Sequence, residues 1–565
     1  MDPLKARATF YLYFLFVINI YSLGITEHAQ DLGTLNSVNN GFGTVEECEE
    51  DDSLNGCSGK MDDALKDILD LATVNQCVAS HAEVENSGID IPNCPQPGTD
   101  FRGLDHTFPS GGIFAMYMGN NSAFLQNLID EYRKDNPAGR FNLVIPRGYI
   151  DNLKEDEELT KKLNQAQVNI VQVEAMPSVE RWMQDSFEFG TLNGKPALYQ
   201  LEHHTEQGRD LSTRLTCAIA KSCNVPYLIP PDMVDPNNAD YNSLNSGGNL
   251  ETMPGGTMYR GTIQTDGFPK YNTNGSLEVP FESQAQKVQR ESLEANGNKL
   301  LDLDTSFLSV GHVDEIINFV QTNQPAPCNF ALLLASPRKA FELMESTANQ
   351  INLEKENEGD AGFIQDIQNL LIPKAHAGAM KLFGGDDDTP SEDIDCEEVS
   401  YNELLYDGAF EEISEGKTNE VYERNCIDDQ SVTTFVDSDE YQILKRENLE
   451  GPPSIEDVMN RNKDALLREL AQTSGCSAPP VVEVPVFFRG GVAYAPDLVN
   501  GVVHTNQNNT STIIMPRTYF RPFDQYMEDE LTKLGVGATF VHGLGYHLLN
   551  GQVHCGTNTA RICKQ

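Results

Sequence analysis

Near the C-terminus the chain reads Gly551-Gln552-Val553-His554-Cys555-Gly556-Thr557-Asn558. Most free cysteines are buried packing residues. Cys555 instead lies among small and polar neighbours, which mark a tight turn that presents a side chain. Two upstream islands add an imidazole and two carboxylates: Arg181-Trp182-Met183-Gln184-Asp185 and Ser309-Val310-Gly311-His312-Val313-Asp314-Glu315. Paired carboxylates hold a planar guanidinium through bidentate, charge-assisted hydrogen bonds. A cysteine can then attack the central carbon while a histidine moves the protons. His312 and Asp314 are two residues apart, so in an extended stretch their side chains share a face. The competing reading is a loop with a capping aspartate before a helix over 315–321.

These residues need a scaffold, and the hydrophobic pattern supplies one from about residue 112. Residues 114–118, 141–145, 168–173 and 330–335 read as strands. Residues 123–134, 155–165, 211–222, 282–296, 337–348 and 455–470 read as helices, with regular structure again over 481–489 and 536–544. Alternating short strands and helices argue an α/β class. Pattern alone does not separate a doubly wound sheet from a ring of repeats. Residues 350–450 carry Gly384-Gly385-Asp386-Asp387-Asp388 and Glu397-Glu398 with weak periodicity, and read as an acidic surface insertion.

At its islands the chain resembles the catalytic domain of the protein-arginine deiminases, which convert peptidyl-arginine to citrulline. The resemblance runs in order through Arg181–Asp185, Gly248-Asn249-Leu250-Glu251, Ser309–Glu315, Leu332-Leu333-Leu334-Ala335-Ser336-Pro337-Arg338 and Val553–Asn558. It implies a pseudo-fivefold α/β propeller of ββαβ-type repeats with the site at its centre. It implies Cys555 as nucleophile, His312 as proton carrier, and Asp185 and Asp314 as guanidinium ligands. Trp182, the one tryptophan of the chain, would line the substrate's methylene stem, and Arg209 would contact the substrate backbone. Ca2+ is implied as cofactor, held by Gln184, Glu188 and Glu251 with the carbonyls of Gly247 and Leu250. All of these are oxygen donors, as calcium requires. Two positions depart from the family: Ser186 stands where a second acidic residue is usual, and Leu549 where vertebrate members have arginine.

With 565 residues the chain exceeds one compact core. The expected division is 1–30 as signal peptide or anchor, 31–105 as an acidic, cysteine-containing appendage with a short helical pattern at 61–73, and 106–565 as the catalytic domain. The two large β domains that precede the catalytic one in vertebrate members do not fit into the appendage. Net charge is −45, from 40 basic and 85 acidic residues. That surface repels nucleic acid and suits arginine-bearing partners, although acidity also serves solubility alone. Lys5 and Arg7 precede an apolar run over 8–25, the layout of a secretory signal peptide, so the expected location is extracytoplasmic; left uncleaved, the run would anchor the chain in a membrane. Cys48, Cys57, Cys77 and Cys94 suit disulfides in an exported protein, and Cys217 and Cys223 offer another pair. Two other functions stay open at this point. One is a deiminase or amidinotransferase acting on free arginine or agmatine; the other is a secreted calcium- or arginine-peptide-binding protein without turnover.

Overall fold

The computed structural model describes residues 42–43, 101–136, 139–173, 181–192, 195–201, 215–216, 218–220, 223–228, 244–262, 284–357, 397–399, 425–427, 429–451, 453–506, 509–547 and 549–562. The chain divides into two units, Met1–Asn40 and Gly41–Gln565, of which the first lies wholly outside the described residues. Also outside them are the readings of a signal segment, of a helix at 61–73, of the four N-terminal cysteines, and of Arg209. Among the described residues no helix is long and apolar enough to cross a membrane.

The second unit is mixed α/β. Five of its sheets share one pattern: an antiparallel pair whose second strand pairs in parallel with a strand reached through helix. In the first, Thr557–Arg561 lies antiparallel to Ser110–Met116, which pairs in parallel with Phe141–Pro146 across the helix Ser122–Asp135. The second joins Phe187–Leu192 to Lys195–Gln200, then to Tyr227–Leu228. The third joins Leu250–Thr252 to Met258–Thr262, then to Leu300–Asp304 across the helix Gln284–Ala295. The fourth joins Ile317–Gln321 to Phe330–Ser336, then to Val481–Pro485. The fifth joins Val502–Thr505 to Ser511–Pro516, then to Gly537–Val541 across the helix Arg521–Lys533. The middle strands Phe141–Pro146, Phe330–Ser336 and Ser511–Pro516 are buried at every position. They read as continuous apolar runs because strands covered on both faces lose the in–out alternation.

Elements fall within a few residues of the sequence reading, and three differences have physical causes. Residues 315–321 form a short 3-10 turn, Val313–Glu315, and a strand, Ile317–Gln321, with no helix. The β-rich Ile317-Asn318-Phe319-Val320 pairs with Phe330–Ser336, and tertiary pairing decides between the two forms. The 350–450 segment is narrower as an insertion. Helix Pro337–Asn357 runs into it, and Val432, Tyr441 and Leu444 are buried in the main core. Their short helices, Asp429–Val436 and Asp439–Lys445, bury too few side chains for a clear period. Finally, the body starts before residue 106, since Phe101–Gly103 pairs with Phe187–Leu192 and Phe42–Gly43 pairs with Tyr227–Leu228. Cys328 and Cys476 form a disulfide that closes a separation of 148 residues. Cys223 is also disulfide-bonded.

Candidate active site

Cys555 lies in the turn that enters strand Thr557–Arg561. The side-chain amide of Asn558 donates to the Phe187 carbonyl at 2.7 Å, which ties this strand to the one carrying Glu188. The Gln184 N–H donates to the Cys555 carbonyl at 3.2 Å, bringing the short helix Met183–Ser186 alongside. Asn500 organises the turn. Its Oδ1 accepts the backbone N–H groups of His554 and Cys555, at 3.1 and 3.2 Å. Its Nδ2 points at Cys555 Sγ, 3.2 Å away, and donates to the Asp314 carbonyl at 3.1 Å. The thiol is therefore held at both its backbone and its sulfur.

Cys555 Sγ donates to Asp314 Oδ2 at 3.3 Å. The other oxygen of that carboxylate, Oδ1, is buried and has no hydrogen-bond partner. A buried, unpartnered carboxylate oxygen beside a thiol is costly, and a cationic donor arriving there would relieve the cost. Cys555 is the free cysteine among the described residues. Burial pushes its thiol well above the usual range, and the charges of Asp314, Asp185 and Glu315 push it further. A cation among those carboxylates would act in the opposite direction.

His312 is the extended residue before the turn Val313–Glu315, and its N–H donates to Glu315 Oε1 at 3.2 Å. The tight turn, and not an extended strand, brings its imidazole and Asp314 to one place. A Cβ built on Gly248 would sit 2.6 Å from His312 Nδ1 and 3.1 Å from Asp314 Oδ2. Only glycine permits that approach. Asn249 fixes the glycine turn by donating to the Leu244 and Gly261 carbonyls and accepting from the Gly261 N–H. His312 Nδ1 also lies 3.9 Å from Asp185 Oδ1. Trp182 packs edge-on against Tyr546, with ring centroids 5.5 Å apart, and close to Gly551, where any side chain would collide with the indole. A small cavity reaches Cys555 between Glu315, Asp497, Asn500, His547 and Gln552.

Beside this centre lies a second buried cluster. Gln184 Nε2 donates to Glu188 Oε2 at 2.9 Å and to Glu251 Oε1 at 3.3 Å. The Leu250 N–H donates to the Gly247 carbonyl in the adjoining turn. Burial drives Glu188 well above the ordinary carboxylate range, with Glu251 adding to the shift, and burial raises Glu251 to about 7. Two crowded carboxylates, an amide oxygen within one side-chain flip, and nearby carbonyls form a donor set that suits a hard cation. Glu251 has further neighbours on its other side: His106 Nε2 at 3.2 Å and His554 Nε2 at 3.6 Å.

The structure thus brings Trp182, Gln184, Asp185, Glu188, Gly247, Leu250, Glu251, His312, Asp314 and Cys555 into one region, from four separated stretches of chain. Sequence reasoning missed Asn500, Asp497 and His106. Asn500 precedes Gly501 and looks like an ordinary turn residue. His106 stands alone in a segment without a motif. His554 was part of a motif but had no assigned role.

The fold and this site define a thiol centre lined with carboxylates on an α/β scaffold. The protein-arginine deiminase (PAD) family profile matches residues 147–565. The chain belongs to that family. Mouse protein-arginine deiminase type-1 is 26% identical over 397 residues, covering 68% of this chain and 46% of the relative. The human type-3 enzyme is 25% identical over 403 residues, with the same shares. The chain spans about half the length of the curated relatives it matches. Among solved structures, an agmatine deiminase from C. jejuni aligns with a TM-score of 0.40 at 9% identity, covering 83% of this chain and 99% of that one.

Proposed function

We propose that this chain hydrolyses the guanidinium of peptidyl-arginine to citrulline and ammonia through a covalent intermediate on Cys555. The single observation that carries the reading is Asp314. One of its oxygens holds the thiol, and the other is buried and unpartnered; a second carboxylate, Asp185, also acts on the thiol and lies 3.9 Å from His312. A guanidinium between Asp185 and Asp314 would satisfy both acids and lower the thiol next to them. Trp182 would cover the methylene stem, keeping water away and strengthening the carboxylate contacts. Sγ then bonds to the guanidinium carbon as its proton passes to His312. His312 gives that proton to the departing nitrogen, which leaves as ammonia, and a thiouronium remains on Cys555. Water attacks the same carbon and loses a proton to His312. The C–S bond breaks, the thiol regains a proton from the new hydroxyl, His312 releases its proton to solvent, and citrulline is released.

Calcium fits the second cluster, where Gln184, Glu188 and Glu251 would hold it with the carbonyls of Gly247 and Leu250. Bound there, the ion supplies neutralisation of crowded carboxylates. The chain's own turn Gly247–Asn249 then keeps Gly248 against His312 and Asp314. We read the five like-patterned sheets as a ring around the site, in the manner of an α/β propeller; the recurrence of the pattern supports this. Export is the proposed location, supported by the apolar run at 8–25 and by the Cys328–Cys476 disulfide. The substrate class is tested by ammonia release from an arginine peptide with blocked ends, compared with free arginine and agmatine. Peptide turnover should dominate. Turnover of only the free compounds would move the chain to the other guanidine-modifying enzymes.

A further inference from the structure

The histidines beside Glu251 do not belong to an all-oxygen calcium shell. The Asn318 amide is fixed in orientation. Its Nδ2 donates to the Val499 and Gly501 carbonyls at 3.0 and 2.8 Å, and its Oδ1 accepts the Phe319 N–H at 2.8 Å. That same Oδ1 lies 2.7 Å from His106 Nδ1, so Nδ1 carries a proton. That leaves Nε2 as the ring nitrogen not engaged by Asn318, and it faces Glu251 Oε2 at 3.2 Å. His554 repeats the arrangement. Its Nδ1 lies 2.9 Å from Asp314 Oδ2, and its Nε2 faces Glu251 Oε1 at 3.6 Å. Two imidazole nitrogens thus converge on one buried carboxylate, an arrangement that a cation can bridge.

We propose that His106, Glu251 and His554 form a site for a zinc-class divalent ion, distinct from the calcium shell but sharing Glu251 with it. The three residues are buried, and their ligand atoms lie within 4.8 Å of one another. A tetrahedral ion with bonds of about 2.1 Å holds its donors about 3.4 Å apart. The two imidazole nitrogens approach the carboxylate from either side, His106 Nε2 at 3.2 Å from Oε2 and His554 Nε2 at 3.6 Å from Oε1, within the contraction that a bound ion would bring. Two imidazoles with one carboxylate leave a coordination position for water and favour zinc over calcium. Each imidazole's other nitrogen is held by an oxygen acceptor, Asn318 or Asp314, the outer arrangement that orients histidine ligands to a metal. The acids Glu188 and Asp314 lie close by; the cation Arg561 also faces the cluster and opposes a bound ion. Zinc at this site occupies Glu251 and fixes His554, the neighbour of Cys555. Metal binding itself does not depend on the deiminase reading; only its effect on turnover does.

The test uses the full chain, stripped by a chelator and titrated with zinc at equilibrium, with cobalt as a visible probe of coordination. Wild-type protein should bind one zinc that His106→Gln and His554→Gln each weaken by about 100-fold or more. The same two variants should lose the visible bands of tetrahedral cobalt, while Cys555→Ser keeps both zinc and cobalt binding. Near-UV circular dichroism checks folding, and if one histidine variant fails to fold the other carries the comparison. Zinc affinity that survives both histidine substitutions overturns the site, as does loss of zinc in Cys555→Ser, which would make the thiol the ligand. Absence of zinc binding to the wild-type chain also overturns it and leaves a proton on Glu251 as the bridge.

Discussion

At the scale of single residues, the account turns on how a thiol held above its usual range becomes a nucleophile. Burial and three carboxylates keep Cys555 protonated, and Asp314 is the carboxylate in direct contact. Asp314→Asn should therefore have two effects of opposite sign. Removing the charge lowers the thiol, so Cys555 should react faster with neutral iodoacetamide near pH 8. Removing the charge-assisted contact to the cation should cut turnover of an arginine peptide roughly tenfold or more. Slower alkylation, or turnover at the wild-type rate, would show that Asp314 does not have this double role. Asp185→Asn should lower turnover by a similar factor, as it removes the partner carboxylate. Much of this centre was legible in sequence, because reactive residue types clustered in short islands. Asn500 was not legible: its four contacts join chain segments more than fifty residues apart, and one asparagine before a glycine carries no trace of them.

At the scale of elements, turns do the positioning. The glycine turn Gly247–Asn249 presses against the turn Val313–Glu315, and the two place His312, Asp314 and the carbonyl donors together. Gly248→Ala should push His312 or Asp314 aside and lower turnover by about 100-fold, since a displacement of about 1 Å near the chemistry is enough. Its melting temperature should change much less than its activity; an active Gly248→Ala enzyme would show that the close approach is incidental. The same turn bears on calcium. Added calcium should raise the melting temperature and support turnover, and chelation should reverse both, with a stabilisation of roughly 2.7 kcal/mol at a hundredfold excess over Kd. Turnover unchanged by thorough chelation would separate the thiol centre from any calcium switch. Helices were legible from periodicity, since each buries one broad face, and the middle strands from continuous apolar runs, since both faces are covered. The stretch at 315–321 was not, because five residues with mixed propensity take the form that their pairing partner imposes.

At the scale of the whole molecule, long-range ties hold the sheets in register. The Cys328–Cys476 disulfide links the turn before strand Phe330–Ser336 to the segment between the helix Ile455–Thr473 and strand Val481–Pro485, across a separation of 148 residues. Replacing both cysteines with alanine should cost roughly 3–5 kcal/mol of unfolding free energy by loop closure, read as a lower denaturant midpoint. An unchanged midpoint would mean that packing alone fixes this junction. The sequence held two hints of export, the apolar run at 8–25 and the cysteines, but no spacing that pairs Cys328 with Cys476, because connectivity is set by three-dimensional proximity. The central claim, deimination of peptidyl-arginine by Cys555, is tested most directly by mass spectrometry. An arginine peptide with blocked ends is incubated with calcium and either the wild-type chain or Cys555→Ser. The account predicts that wild-type protein converts arginine to citrulline and that the folded Cys555→Ser protein leaves the peptide unchanged. An unconverted peptide with folded, calcium-loaded wild-type protein would contradict it, as would equal conversion by Cys555→Ser.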